Sequence, residues 1–121
     1  MEENMENKEL ALMIAKALDD KKAQDVVILD IAEKSGFADY FVIADAGSAR
    51  LVEALADAAE DKMAECGEPL HHREGVGESG WVLLDFGDII VNLFTKAQRE
   101  HYNIEKVWAD CDRLQFEQER K

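Results

Sequence analysis

The segment from Trp81 to Phe94, WVLLDFGDIIVNLF, constrains the fold of this chain more than any other. Two apolar runs flank Gly87-Asp88, and glycine followed by aspartate is typical of a two-residue type II′ hairpin turn. Because a turn of this length sets the register, Trp81 is predicted to pair with Phe94. One face of the hairpin is then wholly apolar, and we expect it in the core: Val82, Leu84, Phe86, Ile89, Val91 and Leu93.

The opposite face of the hairpin is apolar but carries a carboxylate and an amide. Trp81, Leu83 and Ile90 lie there beside Asp85 and Asn92. Burying an unpaired Asp85 would cost several kcal/mol, so this face is poorly suited to a sealed interior. In one interpretation a helix covers the face and Asp85 supports the turn. The interpretation we favour is a partly open patch, in which a tryptophan beside a carboxylate binds a basic partner.

Three other segments have the apolar spacing of helices. The first runs over about 4–20, and the second, over 49–66, follows the N-cap residue Ser48 and ends at Gly67. The inward stripe predicted for the second helix is Leu51, Val52, Leu55, Ala59 and Met63. The predicted last helix carries Ile104, Val107, Trp108 and Cys111 on one side.

Strand patterns complete the predicted architecture. Residues 26–31 and 40–44 are predicted as buried strands, and 70–74, LHHRE, as a short polar edge strand. The expected fold class is therefore α/β: a single domain with a mixed sheet of about five strands and flanking helices. We place the domain at 1–110 and predict a charged tail at 111–121 whose end frays.

Charge limits the partners of the chain. Its 121 residues suit one domain, and the formal net charge is −13 at pH 7. Such a charge repels phosphates, so we expect no DNA binding, little RNA contact and docking on a basic protein. The acidic N-terminus lacks a signal-peptide pattern, and no apolar run has the length of a membrane span. With only two isolated cysteines, Cys66 and Cys111, these features predict a cytoplasmic protein.

Residues 75–80 fit the G-x-G-x-x-G template of a phosphate-binding loop, but their context argues against nucleotide binding. The loop leads into a strand rather than a helix, and Glu74 and Glu78 would repel a phosphate. We therefore expect a mobile connection between two strands. The adjacent His71 and His72 would point to opposite faces of a strand and are expected at the surface. The sequence predicts no catalytic residues, no metal site and no cofactor.

Nucleotidyl transfer is the enzymatic alternative. That chemistry requires a Gly-Ser at a helix start and two carboxylates on an adjoining strand that hold metal ions. Gly47-Ser48 supplies the first element, but the next carboxylates, Asp57, Glu60 and Asp61, fall inside the helical pattern. The pair more simply ends a strand and caps a helix, so a binding protein is predicted rather than an enzyme.

Four segments, in this order, together resemble the Iojap family, whose bacterial members are ribosomal silencing factors. They are ADYFVIADAGS (38–48), EG (74–75), GWVLLDFGDIIVNLF (80–94) and REHYNIEKVWAD (99–110). The resemblance implies a nucleotidyltransferase-like fold that lacks the catalytic carboxylates. It also implies binding to the large ribosomal subunit through its basic fourteenth protein, which blocks joining of the small subunit and represses translation.

By motif position, the resemblance assigns partner contact to Trp81, Leu83, Asp85, Asp88 and Tyr102. Trp81 and Leu83 would anchor the contact, and the aspartates would pair with Lys or Arg. Two other functions stay open at this point: a residual nucleotidyltransferase, and an acidic adaptor for another basic protein. An apolar sheet face that is left free can also pair with a second copy of the chain.

Overall fold

The computed structural model describes residues 6–114 and residue 116. Its helices are α1 (Asn7–Asp20), α2 (Ala49–Glu65), α3 (Lys96–Tyr102) and α4 (Ile104–Val107). Its strands are β1 (Gln24–Asp30), β2 (Tyr40–Ala46), β3 (His72–Glu74), β4 (Trp81–Asp85), β5 (Ile89–Thr95) and β6 (Asp112–Leu114). The first helix is present from Asn7, and its predicted start at residues 4 and 5 lies outside the described residues.

The strands form one mixed sheet of six, in the order β3-β4-β5-β2-β1-β6. β2 and β5 are parallel, and the other neighbours are antiparallel. The predicted α/β class with a mixed sheet is confirmed. The sixth strand comes from the stretch predicted as a charged tail, where Asp112–Leu114 pair with β1 instead of fraying. The rest of that stretch, residues 115 and 117–121, lies outside the described residues.

The β4–β5 hairpin has the predicted register. Trp81 pairs with Phe94, and the Phe86 amide donates to the Ile89 carbonyl oxygen at 3.0 Å across the turn. Gly87 has a φ of +98°, and the first central residue of a type II′ turn requires a positive value. All the side chains predicted for the core face of this hairpin are buried.

Both ends of α2 follow local sequence signals. Ser48 Oγ accepts a hydrogen bond from the Leu51 amide at 3.2 Å, which confirms the predicted N-cap. Gly67 has a φ of +78°, and its amide and that of Glu68 close the helix as a Schellman motif. The predicted inward residues are buried except Leu51, which is 40% exposed. Leu51 lies about 100° around the helix axis from Val52, at the edge of the buried stripe.

Helices α1 and α2 pack against each other and against one face of the sheet, which we call the inner face. The main core fills this layer and includes Leu10, Ile14, Leu18, Val52, Leu55, Met63, Val42, Val91 and Leu93. The opposite face of the sheet, which we call the outer face, carries a second and smaller apolar cluster. Among the described residues outside the sheet and its other connections, those that pack onto this face come from the short segment after β5, which contains α3 and α4.

The predicted last helix is wrong in its extent. Asn103 has a φ of +46°, a left-handed conformation that separates α3 from α4, and α4 itself ends at Val107. Val107, which was predicted to face inward, is largely exposed. Ile104 and Trp108 do pack against the outer face, together with Cys111, as the pattern predicted.

The glycine-rich loop is fixed against α2, rather than being a mobile connection. Gly77–Ser79 form one turn of 3₁₀-helix, and the Gly77 amide donates to Glu53 Oε2 at 2.6 Å. The other oxygen of Glu53 binds Arg73 of β3 at 2.6 Å. Gly77 also packs directly on α2, since a Cβ at this position would lie 2.3 Å from the Ala49 carbonyl oxygen. The loop therefore has a structural role, and its glycines permit close backbone approach.

We predict that Gly77→Ala destabilises the fold by at least about 2 kcal/mol, because the new methyl group would collide with backbone that cannot move freely. Gly47→Ala is the matched control, since a Cβ at Gly47 meets nothing within 4 Å. Chemical denaturation of both variants measures the difference. Equal free energies of unfolding for the two variants would contradict the close packing of the loop.

The Glu53 carboxylate is expected to make the stability of the fold depend on pH. The Gly77 amide and then Arg73 lower the pKa of Glu53, so its contribution to stability is present above the ordinary pKa of a glutamate and is lost as pH falls. Glu53→Gln should cost about 1 kcal/mol near neutral pH, a modest value because solvent screens this partly exposed group. The difference from wild type should shrink on acidification. Asp61→Asn, at an exposed site on α2, is the control, and a pH-independent cost for Glu53→Gln would refute the assignment.

Candidate partner-docking surface

The outer face of the sheet is built from alternate residues of five neighbouring strands. Leu83 of β4 lies opposite Asn92 of β5, which lies opposite Ile43 of β2. On its other side, Leu83 lies opposite Glu74 of the edge strand β3. The row therefore runs from an exposed carboxylate at the sheet edge to an apolar centre.

Trp81 occupies one end of this face and is half-buried. Its ring stacks on that of Phe94, with the ring centroids 5.2 Å apart. The ring centroid of Tyr102, on α3, lies 4.5 Å from that of Trp81. Tyr102 is 46% exposed, so the pair presents aromatic surface to solvent. Two residues that are far apart in sequence, and that were both predicted as contact residues, are thus in direct contact.

Asn92 lies beneath Trp81 and is only 1% exposed. Its Oδ1 accepts a hydrogen bond from the Trp81 indole N–H at 3.0 Å, which fixes the orientation of the amide. Within the described part of the chain, Asn92 Nδ2 has no hydrogen-bond partner. The Trp81 ring is therefore positioned by a polar contact as well as by stacking.

Asp85 fits one part of each interpretation offered by the sequence, since it supports the turn but lies on a face that no described helix seals. Its Oδ1 accepts a hydrogen bond from the Gly87 amide at 2.8 Å, so the side chain does support the turn. It is nevertheless only half-buried, like Leu83 and Trp81 on the same strand face. No described helix seals these side chains from solvent.

Asp88 lies at the tip of the hairpin, at the opposite end of β4 from Trp81, and is exposed. Asn7 of α1 donates from Nδ2 to Asp88 Oδ2 at 3.2 Å and to Asp39 Oδ2 at 2.9 Å. Since one amide bridges both carboxylates, Asp39 joins Asp88 as part of an acidic rim. The sequence patterns had not singled out Asp39, because only the fold brings it to the hairpin tip.

A family model described as "Ribosomal silencing factor during starvation" matches residues 4–121. The chain belongs to the ribosomal silencing factor family. A ribosomal silencing factor of Bacillus subtilis is 41% identical over 107 residues, which cover 88% of this chain and 91% of that protein. The chloroplastic Iojap protein of Zea mays is 31% identical across 88% of this chain, although the match covers 46% of the maize protein. The resemblance to the Iojap family is therefore confirmed.

Solved structures agree with this assignment. The crystal structure of a Chromobacterium violaceum protein superposes with a TM-score of 0.84 at 33% identity, and the match covers 87% of this chain and 88% of that one. A second crystal structure, from Bacillus halodurans, gives a TM-score of 0.79 at 35% identity and covers 91% of this chain and 100% of that one. These two experimental structures therefore share the single-domain α/β architecture of this protein.

An arginine clamp, which the sequence analysis missed, positions the segment that carries Tyr102. Arg99 of α3 binds Glu105 of α4 through two parallel hydrogen bonds of 3.0 and 3.1 Å. Its Nη1 also donates to Asp45 Oδ2 of β2 at 2.9 Å and to the Asp25 carbonyl oxygen of β1 at 2.7 Å. One side chain therefore ties α3 and α4 to two strands. A signal was available in the strand YFVIADA, where a carboxylate inside an apolar run needs a buried partner.

Burial sets the electrostatics of this clamp. It raises the pKa of Asp45, even though the bond from Arg99 opposes the shift. Burial also acts to lower the pKa of Arg99, but the carboxylates of Glu105 and Asp45 outweigh it and hold the pKa above its ordinary value. Arg99 thus stays charged, and its charge is what allows Asp45 to lie in the sheet.

A polar cleft of about 840 Å³ opens beside the clamp, at the carboxyl ends of β2 and β5. Its lining mixes both signs of charge: Asp25, Asp45, Lys96, Arg99, Glu100, Glu105 and Arg113. Neither Gly47 nor Ser48 is among the described residues that line it. Within the same part of the chain, no group of histidine, cysteine, aspartate and glutamate side chains is arranged to hold a metal ion. The described helices also include none that is long and apolar enough to cross a membrane.

We predict that Arg99→Met lowers the free energy of unfolding by about 3–5 kcal/mol, because it leaves Asp45, which is 3% exposed, without its cationic partner. The loss should shrink as pH falls towards the ordinary carboxyl pKa, since a raised pKa in the folded state means that protonation favours folding. Adding Asp45→Asn should restore part of the loss. Denaturant titrations of the two single variants and the double variant measure the coupling. If Asp45→Asn has the same effect in both backgrounds, the clamp is not a coupled pair.

Proposed function

We propose that this protein binds the large ribosomal subunit through its basic fourteenth protein and, by its bulk, prevents joining of the small subunit. The family assignment supports the ribosomal context, and the resemblance of the motifs implies the particular partner. The observation that carries the proposal is the half-buried Trp81, which contacts Tyr102 on a sheet face that no described helix seals. Tryptophan and tyrosine are enriched among the residues that dominate binding energy at protein interfaces.

Charge supports a basic protein rather than RNA as the direct partner. A net charge of −13 disfavours contact with ribosomal RNA and favours encounter with a basic surface. Carboxylates lie at two edges of the apolar patch, with Glu74 and Asp85 towards the edge strand β3 and Asp88 and Asp39 at the hairpin tip. They can pair with lysine or arginine side chains around an apolar centre.

Repression by occlusion needs no catalytic turnover. The occupied fraction of large subunits depends only on the free concentration of the factor relative to its Kd, so translation is repressed by mass action in the cytoplasm. A second copy of the chain can compete for the same face at high protein concentration. Binding measurements are therefore best made at a concentration where the factor is monomeric.

We predict that Trp81→Ala weakens binding to isolated large subunits by at least about 2 kcal/mol, or roughly 30-fold in Kd. Some loss of stability is also expected, because Trp81 packs on Phe94 and binds Asn92 within its own chain. Co-sedimentation with large subunits measures binding, and thermal unfolding confirms that the variant is folded at the assay temperature. If the folded variant bound large subunits with wild-type affinity, the proposed docking surface would be refuted.

Charge reversal provides a matched pair of variants for the same proposal. Asp88→Lys and Asp61→Lys change the net charge equally, but Asp88 lies at the hairpin tip and Asp61 lies on α2, on the inner side of the sheet. Only Asp88→Lys should weaken co-sedimentation. Equal losses for both would indicate that long-range charge, rather than a defined surface, governs binding.

A further inference from the structure

A second aromatic cluster lies on the outer face, away from the Trp81 end. Phe37 belongs to the connection between β1 and β2 and is 58% exposed. The centroid of its ring lies 6.3 Å from the ring centroid of Phe41 and 6.4 Å from that of Trp108. Phe41 and Trp108 meet edge to face at 5.4 Å. An exposed phenylalanine is thus supported on two sides by other rings.

The backbone that carries Phe37 is held by hydrogen bonds and by a salt bridge. Ser35 Oγ accepts hydrogen bonds from the Phe37 amide at 2.9 Å and from the Ala38 amide at 3.2 Å. The Ser35 amide itself donates to the Ile31 carbonyl oxygen at 2.8 Å. A salt bridge between Lys34 and Asp110 ties the same connection to the segment after α4. Because this backbone is held before binding, little backbone entropy would be lost when a partner covers the ring.

The two aromatic clusters share one face of the sheet. Phe41 lies opposite Ile90, and Ile90 lies opposite Asp85, so one row of side chains leads from the second cluster to β4. Trp81 is four residues from Asp85 along β4. Strand geometry then places the Phe41 and Trp81 positions on the order of 16 Å apart. A standard interface of about 800 Å² per partner is roughly 30 Å across and would cover both clusters.

We propose that Phe37, supported by Phe41 and Trp108, is a second anchor for the partner that binds at Trp81. This inference rests on the proposed function and names a contact residue that the motif positions do not. The occupant is the same basic protein, because a carboxylate lies close to Phe37 in the chain. Asp39 is two residues away and shares the Asn7 amide with Asp88, while the charge of Lys34 is offset by Asp110.

A lysine or arginine side chain of the partner could make two kinds of contact with this cluster. Its aliphatic part can pack against the exposed Phe37 ring, and its cationic end can lie over an aromatic face or bind Asp39. The partner would thus contact acidic and aromatic groups at both ends of the outer face. Two separated anchors would also fix its orientation, which a single contact at Trp81 would not.

The test compares Phe37→Ala with Leu51→Ala in titrations of isolated large subunits. Leu51 is also an exposed large apolar residue, but it lies on α2, on the inner side of the sheet. Phe37→Ala should weaken binding roughly 10-fold or more, and Leu51→Ala should stay within about twofold of wild type. Phe37→Tyr keeps the ring and should retain most of the affinity. Thermal unfolding of each variant verifies that it is folded under the binding conditions.

Trp81→Ala, measured alongside, separates this inference from the function on which it rests. If Trp81→Ala loses affinity while Phe37→Ala binds like Leu51→Ala, the second anchor is refuted and the proposed function stands. If neither wild type nor any variant binds large subunits, both are refuted. If Phe37→Ala reduces only self-association in analytical ultracentrifugation, the occupant is a second copy of the chain and the inference is wrong.

Discussion

The register of β4 against β5 is the constraint on which both faces of the sheet depend. Side chains alternate along a strand, so a slip of one residue would turn Val82 and Leu84 outward and carry Trp81 and Leu83 into the helical layer. The turn opposes such a slip, because Gly87 tolerates its φ of +98° and its amide is bound by Asp85. The same carboxylate that lies at the edge of the proposed docking surface therefore also stabilises the turn that presents this surface.

Helices α3 and α4 cover only part of the outer face, because the segment after β5 that contains them is short and bent. The seven residues of α3 span about 10 Å and the four of α4 about 6 Å, whereas a five-residue strand such as β4 spans about 17 Å. Asn103 bends the chain between the two helices, and Arg99 binds across the bend to Glu105. This arrangement places Tyr102 against Trp81 and Trp108 against Phe41, and leaves Leu83 between them half-buried.

Features with a local cause could be predicted from the sequence, and features with a long-range cause could not. Ser48, Gly67 and Gly87 each act within a few residues, so the ends of α2 and the hairpin register were predicted correctly. The Arg99–Asp45 pair joins positions 54 residues apart, and no local pattern selects one partner for a buried carboxylate. Strand β6 is polar and only three residues long, and it forms because β1 offers an unpaired edge. For the candidate surface, the residues of β4 were proposed from motif positions, whereas Asp39 and Phe37 enter the proposal only through the way distant connections fold over the sheet.

An apolar face left partly open can pair with a second copy of the chain, and the sheet edges and the surrounding charge act against such pairing. Both edge strands, β3 and β6, have only three residues and carry charged side chains, so neither edge offers a long template for pairing with another sheet. The acidic rim would face a second acidic rim in a symmetric dimer, and like charges held close together oppose association. A basic partner reverses the sign of this interaction at the same carboxylates. In the proposed complex, the charges around Trp81 and Phe37 would therefore select the partner, while the rings would supply most of the binding energy.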